Sequence, residues 1–121
     1  MKKRNYAVID SQIAPLVEAF NHAGFITYAS CQGHGWPVYD IKPYIAFQAE
    51  MTQVRPLLHR LRQDALSTRP QLRWGWNITG HFNCELVLCF RLAPEGAHRK
   101  RFQYQRSSLL HDFKVISTWL F

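Results

Sequence analysis

Ile13, Leu16, Val17 and Phe20 recur at three- and four-residue intervals, the spacing of one face of an α-helix. Asp10 or Ser11 stands where an N-cap belongs, Pro15 falls in the first turn, and Gly24 follows where a C′ residue ends a helix. Two apolar runs come next, Phe25 to Ser30 and Pro43 to Gln48, and together they predict a β-hairpin. Thr52 can cap a second helix that carries Val54, Leu57, Leu58, Leu61 and Ala65 on one face, with Pro56 in its first turn. Leu72, Trp74, Trp76 and Ile78 then alternate with polar or small residues, as do Leu86, Leu88 and Phe90, which is the period of a half-buried strand. Thr79 to Asn83 read as the loop between them.

The chain thus reads helix–strand–strand twice, a repeat of about 45 residues. Ser11 to Pro15 and Thr52 to Pro56 share one spacing, and Leu16, Val17 and Phe20 correspond to Leu57, Leu58 and Leu61. Pro94-Glu95-Gly96 breaks the pattern, and Leu109, Leu110, Phe113, Ile116 and Leu120 predict a C-terminal helix with a fresh cap at Ser107-Ser108. Residues 98–106 fit the start of that helix or a short strand through Phe102 and Tyr104 equally well. The expected fold is α+β: a two-layer sandwich with a four-stranded, mainly antiparallel sheet from the repeated unit plus a C-terminal helix. Residues 1–121 form a single domain on this reading.

Composition adds a partner class. Fifteen Lys+Arg against eight Asp+Glu give a net charge of +7 on 121 residues, 47% of them apolar. That balance describes a folded chain suited to polyanions such as RNA, or to an acidic protein. The charged opening Met1-Lys2-Lys3-Arg4 is not followed by an apolar signal core, and no run approaches the ~20 apolar residues of a membrane span. The expected setting is cytoplasmic, where three cysteines stay reduced and serve as core, ligand or nucleophile.

The chemistry concentrates in Tyr28-Ala29-Ser30-Cys31-Gln32-Gly33-His34-Gly35-Trp36, at the first hairpin loop. Cys31-x-x-His34 spaces a thiol and an imidazole so that they can share a metal or form a nucleophile–base pair, with Asp40 in the same loop. The second hairpin offers a mirror image, His81-x-x-Cys84. If both loops lie at one end of the sheet, Cys31, His34, His81 and Cys84 make a tetrahedral Zn²⁺ set. The competing assignment has Cys31 buried as a small apolar side chain at a strand end, and Cys89 as core or shielded on the opposite face. Arg55, His59, Arg60 and Arg62 crowd the polar side of the second helix, and His98-Arg99-Lys100-Arg101 adds a basic run. Trp36, Tyr39, Tyr44, Trp74 and Trp76 are candidate platforms for bases, although Trp74 and Trp76 fit a core as well.

Gly24 to Gly33, with Ser30-Cys31-Gln32-Gly33 before a second strand, resembles the Ser-Cys-x-Gly hairpin of the wybutosine-synthesising tRNA methyltransferase family. It is also similar to small Ser-Cys-x-Gly-His proteins of bacteria and their mobile elements. The likeness covers residues 24–48, and His34 stands where the methyltransferases have Arg. The first resemblance implies tRNA contact and S-adenosylmethionine; the second implies a mobile-element protein. Three function classes follow. The leading one is a small basic domain that binds RNA or single-stranded nucleic acid, with its functional end at the Cys31–His34 loop and contacts from Arg55, Arg60, Arg62, Arg99, Lys100, Arg101 and Trp36. The others are a mobile-element protein that inhibits a host defence protein by direct contact, and a small enzyme using Cys31 and His34.

Overall fold

The computed structural model describes residues 10–31, 43–97 and 106–120. The chain runs α1 (Ala14–His22), β1 (Ile26–Cys31), β2 (Tyr44–Gln48), α2 (Met51–Leu66), β3 (Trp74–Phe82), β4 (Leu88–Ala97) and α3 (Arg106–Trp119). The four strands make one antiparallel sheet in the order β1-β2-β4-β3. The helices pack on one face of it, giving the two-layer α+β sandwich that the hydrophobic pattern predicts. His34, Trp36, Tyr39, Asp40, Arg99, Lys100 and Arg101 lie outside the described residues, as does the helix-or-strand question over 98–105.

Alternation along the strands builds the core. Ile45 and Phe47 of β2, Trp74, Trp76 and Ile78 of β3, and Phe90 and Leu92 of β4 meet Leu16, Val17 and Phe20 of α1, Val54, Leu57 and Leu61 of α2, and Leu109, Phe113 and Ile116 of α3. Phe20, Phe25, Phe47 and Phe90 form an aromatic chain with ring centroids 5.1 to 5.8 Å apart, the range in which tilted and offset rings attract. Gly24 closes α1 at φ +96, a backbone conformation L side chains rarely adopt. Its N–H donates to the Asn21 carbonyl (3.1 Å) and that of Phe25 to the Phe20 carbonyl (3.0 Å), a Schellman closure that brings the Phe20 and Phe25 rings together.

The α3 layer is latched to β3 by one carboxylate. Asp112 Oδ1 accepts from the Arg73 N–H (2.8 Å), and Oδ2 accepts from the Trp74 N–H (2.9 Å) and Trp76 Nε1 (2.8 Å). Trp74 Nε1 donates to Ser108 Oγ one turn earlier on α3 (2.7 Å). Asp112 and Ser108 are fully buried, and burial pushes the Asp112 carboxyl above the ordinary 3.8 despite the donors around it.

Several boundaries depart from the sequence expectation, each for a local reason. The second helix begins at Met51 rather than behind Thr52, because Glu50 and Gln53 close a capping box (Glu50 N–H to Gln53 Oε1, 3.0 Å); Pro56 thereby falls inside the helix. Ile13 occupies the α1 cap position without a side-chain cap, in place of Asp10 or Ser11. β3 continues through Thr79–Phe82, where a loop is expected. Those residues are exposed on both faces, so no alternation marks them. β4 runs through Pro94-Glu95-Gly96 by means of a bulge: Trp76 faces Pro94 and Gly75 faces Gly96, leaving Glu95 as the extra residue. β2 pairs with β4 only as far as Leu92, so Pro94 lies where no described strand needs its missing N–H. Leu86 belongs to the turn, not to the strand.

Candidate functional site

The face of the sheet away from the helices carries the strand residues of the other phase, among them Tyr44, Ala46 and Gln48 of β2, Cys89 and Arg91 of β4, and Thr79 and His81 of β3. Strand β1 joins them through an irregularity. Thr27 faces Phe47 on the helix side, where its Oγ1 donates to Asn21 Oδ1 (3.1 Å), whereas Ala29 faces Ala46 on the open side. The register shift between them leaves Tyr28 as an extra residue, and the bulge turns its ring onto the open face.

Tyr28 then reaches across the sheet. Its hydroxyl lies 3.1 Å from Nε2 of His81, on the far edge strand. Ala46, small and only 6% exposed, lets the ring pass over β2. Desolvation by burial is the largest cause pushing the Tyr28 phenol up to about 12, followed by its hydrogen bond to the Cys89 thiol; the positive charge of Arg91 opposes them. Tyr28 is therefore a neutral phenol at physiological pH. Cys89 is fully buried beneath this layer: its Sγ donates to the Val87 carbonyl (3.5 Å) and accepts from Gln48 Nε2 (3.8 Å). Beside it, the Arg91 guanidinium lies 4.3 Å from the centroid of the Tyr44 ring. Tyr28, Tyr44, Ala46, Thr79, His81 and Arg91 line a shallow concavity of about 470 Å³. It combines two phenol rings, a guanidinium and an imidazole, a donor-rich aromatic surface suited to a flat or anionic ligand.

The four-ligand zinc set does not assemble. β2 and β4 are antiparallel neighbours at the centre of the sheet, so the two hairpins point in opposite directions. Cys31 faces Tyr44 at one end, while Cys84 sits in the turn beyond the Phe82–Leu88 pair at the other. Those levels are five steps apart along β4, roughly 16 Å at the rise of a strand, far beyond what one tetrahedral ion with Zn–S bonds of ~2.3 Å can span. His81 turns to Tyr28 instead. Among the described residues no group of three or more His, Cys, Asp and Glu side chains is placed to hold a metal.

Other expected site residues are dispersed as well. Arg55 and Arg62 are exposed on α2, in the layer opposite the concavity. The Arg60 guanidinium lies 4.7 Å over the Trp119 ring and ties α2 to α3. Trp74 and Trp76 are core residues with both indole N–H groups engaged, so neither is a platform for bases. Cys31 is 8% exposed, next to Tyr44 at the end from which the first hairpin loop departs. Tyr44 alone of the expected platforms faces outward among the described residues. Tyr28, His81 and Arg91 as a group escape sequence reasoning. The available signal is Arg91 between Phe90 and Leu92, a polar residue at the outward phase of a buried strand.

Among the described residues no helix is long and apolar enough to cross a membrane. No family model, curated protein or solved structure matches this chain.

Proposed function

We propose that the protein binds single-stranded nucleic acid, RNA in the first instance, across the open face of the sheet. The observation that carries this reading is the gathering of Tyr28, Tyr44 and Arg91 on one face of the sheet, opposite the face on which β2, β3 and β4 place their core residues. Aromatic rings on a flat sheet stack with unpaired bases, and a guanidinium beside them pairs with phosphate or stacks in turn. His81 and Thr79 add hydrogen-bonding groups for base edges or a 2′-hydroxyl. The net charge of +7 supplies the long-range attraction that such ligands follow. Cys31 lies beside Tyr44, so the first hairpin loop leaves from the same end of this surface.

Fluorescence anisotropy with a labelled single-stranded oligoribonucleotide tests the proposal. Wild-type protein binds at low salt and weakens steeply as salt rises, because condensed counterions are released on binding. Tyr44→Ala lowers affinity by about 1–3 kcal/mol, the value of one stacked base. Arg91→Glu lowers it further and flattens the salt slope. Arg55→Glu/Arg62→Glu, on the opposite layer, has the smaller effect. Absence of binding at low salt overturns the proposal. A loss confined to the Arg55/Arg62 variant moves the interface to the basic helix.

A further inference from the structure

The hairpin turn between β3 and β4 projects apolar side chains from the end of the sheet opposite Cys31. Leu86 is 80% exposed and Phe82 67%, with Val87 and Leu88 also open to solvent. Ile26 and Met51, from the start of β1 and of α2, are exposed at the same end, where they line a groove of about 490 Å³ with Val87, Leu88 and Phe90. Six of the seven exposed large apolar residues of the described chain therefore gather in one place; Leu66, at the far end of α2, is the exception.

The turn holds these side chains outward rigidly. Asn83 Oδ1 accepts from the N–H groups of Glu85 (2.9 Å) and Val87 (3.0 Å). The Asn83 N–H donates to the Val87 carbonyl (3.0 Å), and the Leu86 N–H donates to the Asn83 carbonyl (3.0 Å). Leu86 itself sits at φ +64, a left-handed conformation that glycine or asparagine adopts with less strain. A bulky leucine there, pointing into water, is costly unless its side chain is covered.

We infer that this apolar end is a self-association surface, on which a second copy of the chain docks about a two-fold axis. Two arguments select that occupant. The first is charge: each copy carries +7, yet among the described residues neither the groove nor the segment Phe82–Leu88 contains Lys or Arg. Like-charged molecules meet with least repulsion at such a surface. Its charged rim is mixed, with Glu50, Glu85 and, one turn beyond Met51 on α2, Arg55, so opposite charges can face each other across a two-fold. The second is area: these six side chains expose on the order of 500 Å², at the upper end of what a monomer leaves open. Two such patches together reach the roughly 1,000 Å² that a specific interface requires. The open sheet face around Tyr44 and Arg91 lies outside the contact, so the inference is independent of the nucleic-acid reading.

Sedimentation velocity on nuclease-treated protein, from low micromolar to near-millimolar concentration, reads the association directly. Wild type shifts from monomer to dimer with concentration, and added sodium chloride does not reverse the shift, as expected for apolar contact. Leu86→Glu and Phe82→Glu each weaken the dimer by roughly tenfold or more, as loss of a buried anchor does. Both positions are exposed in the monomer, and circular dichroism confirms that the variants fold. Wild type that stays monomeric throughout overturns the inference and leaves the patch to a different protein. A dimer that Leu86→Glu does not weaken overturns it too, by placing the contact elsewhere.

Discussion

The two faces of the sheet are made by the same strands, one residue out of phase, and they differ in what completes them. On the helix side Phe47 is fully buried, ringed by Phe20, Phe25 and Phe90, and the indole N–H groups of Trp74 and Trp76 find their acceptors on α3, in Ser108 and Asp112. On the open side Tyr28, Tyr44, Arg91 and His81 satisfy one another across strands and keep part of their surface in water. A close-packed layer is intolerant of change because any void forfeits contacts on all sides. A half-covered layer loses little when one member is altered, and that tolerance leaves it available for a ligand. The two hairpin ends show the same division. The Cys31 end sets Tyr44 beside a buried thiol, whereas the Cys84 end carries apolar side chains that stay exposed.

The largest effect expected from breaking this contrast comes from Phe47→Ala. It deletes the hub of the aromatic cluster and should cost about 3–5 kcal/mol in a urea titration. Removal of the corresponding open-face ring in Tyr44→Ala should leave the urea midpoint close to wild type.

Asp112→Asn comes next. The amide nitrogen replaces one of two acceptor oxygens among three donors, so at least one buried N–H is left unmet, at a cost of about 1–3 kcal/mol. The pH dependence separates this from a simple packing defect. The folded-state pKa of Asp112 is raised above its unfolded 3.8, so its contribution to stability is greatest below 3.8 and is lost as pH rises through the raised value. The asparagine variant should lack that decline, and thermal melts across the acidic range measure it.

Tyr28→Phe is the mildest. It removes the hydroxyl contact with His81 and should cost about 0.5–1.5 kcal/mol, the net value of one hydrogen bond. With the folded pKa near 12 against an ordinary 10.0, Tyr28 adds stability that is present below pH 10 and lost as pH rises toward 12. Tyrosinate absorbance should show a step near pH 12 disappear in the phenylalanine variant.

Local patterning made much of the architecture legible in advance. The apolar positions of α1 and α2, the strand alternation of Trp74, Trp76 and Ile78, and Gly24 as a helix stop each depend on near neighbours in the chain, so they can be read without knowing the fold. Where that context vanishes, reading fails. Thr79–Phe82 extend past the helix layer and lose their alternation, and the strand through Pro94-Glu95-Gly96 depends on a bulge and on β2 having already ended.

The site depended on longer-range facts still. Cys31-x-x-His34 and His81-x-x-Cys84 are mirrored in the sequence, and the helix–strand–strand order that generates the mirror is present in the chain itself. Which ends of the sheet they occupy was decided by β2 pairing antiparallel with β4, a contact between halves that sets the hairpins pointing apart. The bulge at Tyr28 likewise adds one residue to β1, and only the facing register of β2 shows that this turns the ring onto the open face. Side-chain periodicity is a property of each strand, whereas convergence of Tyr28 with His81, 53 residues later, is a property of how strands are ordered. Local chemistry supplied the candidate residues; pairing between distant segments determined which of them meet.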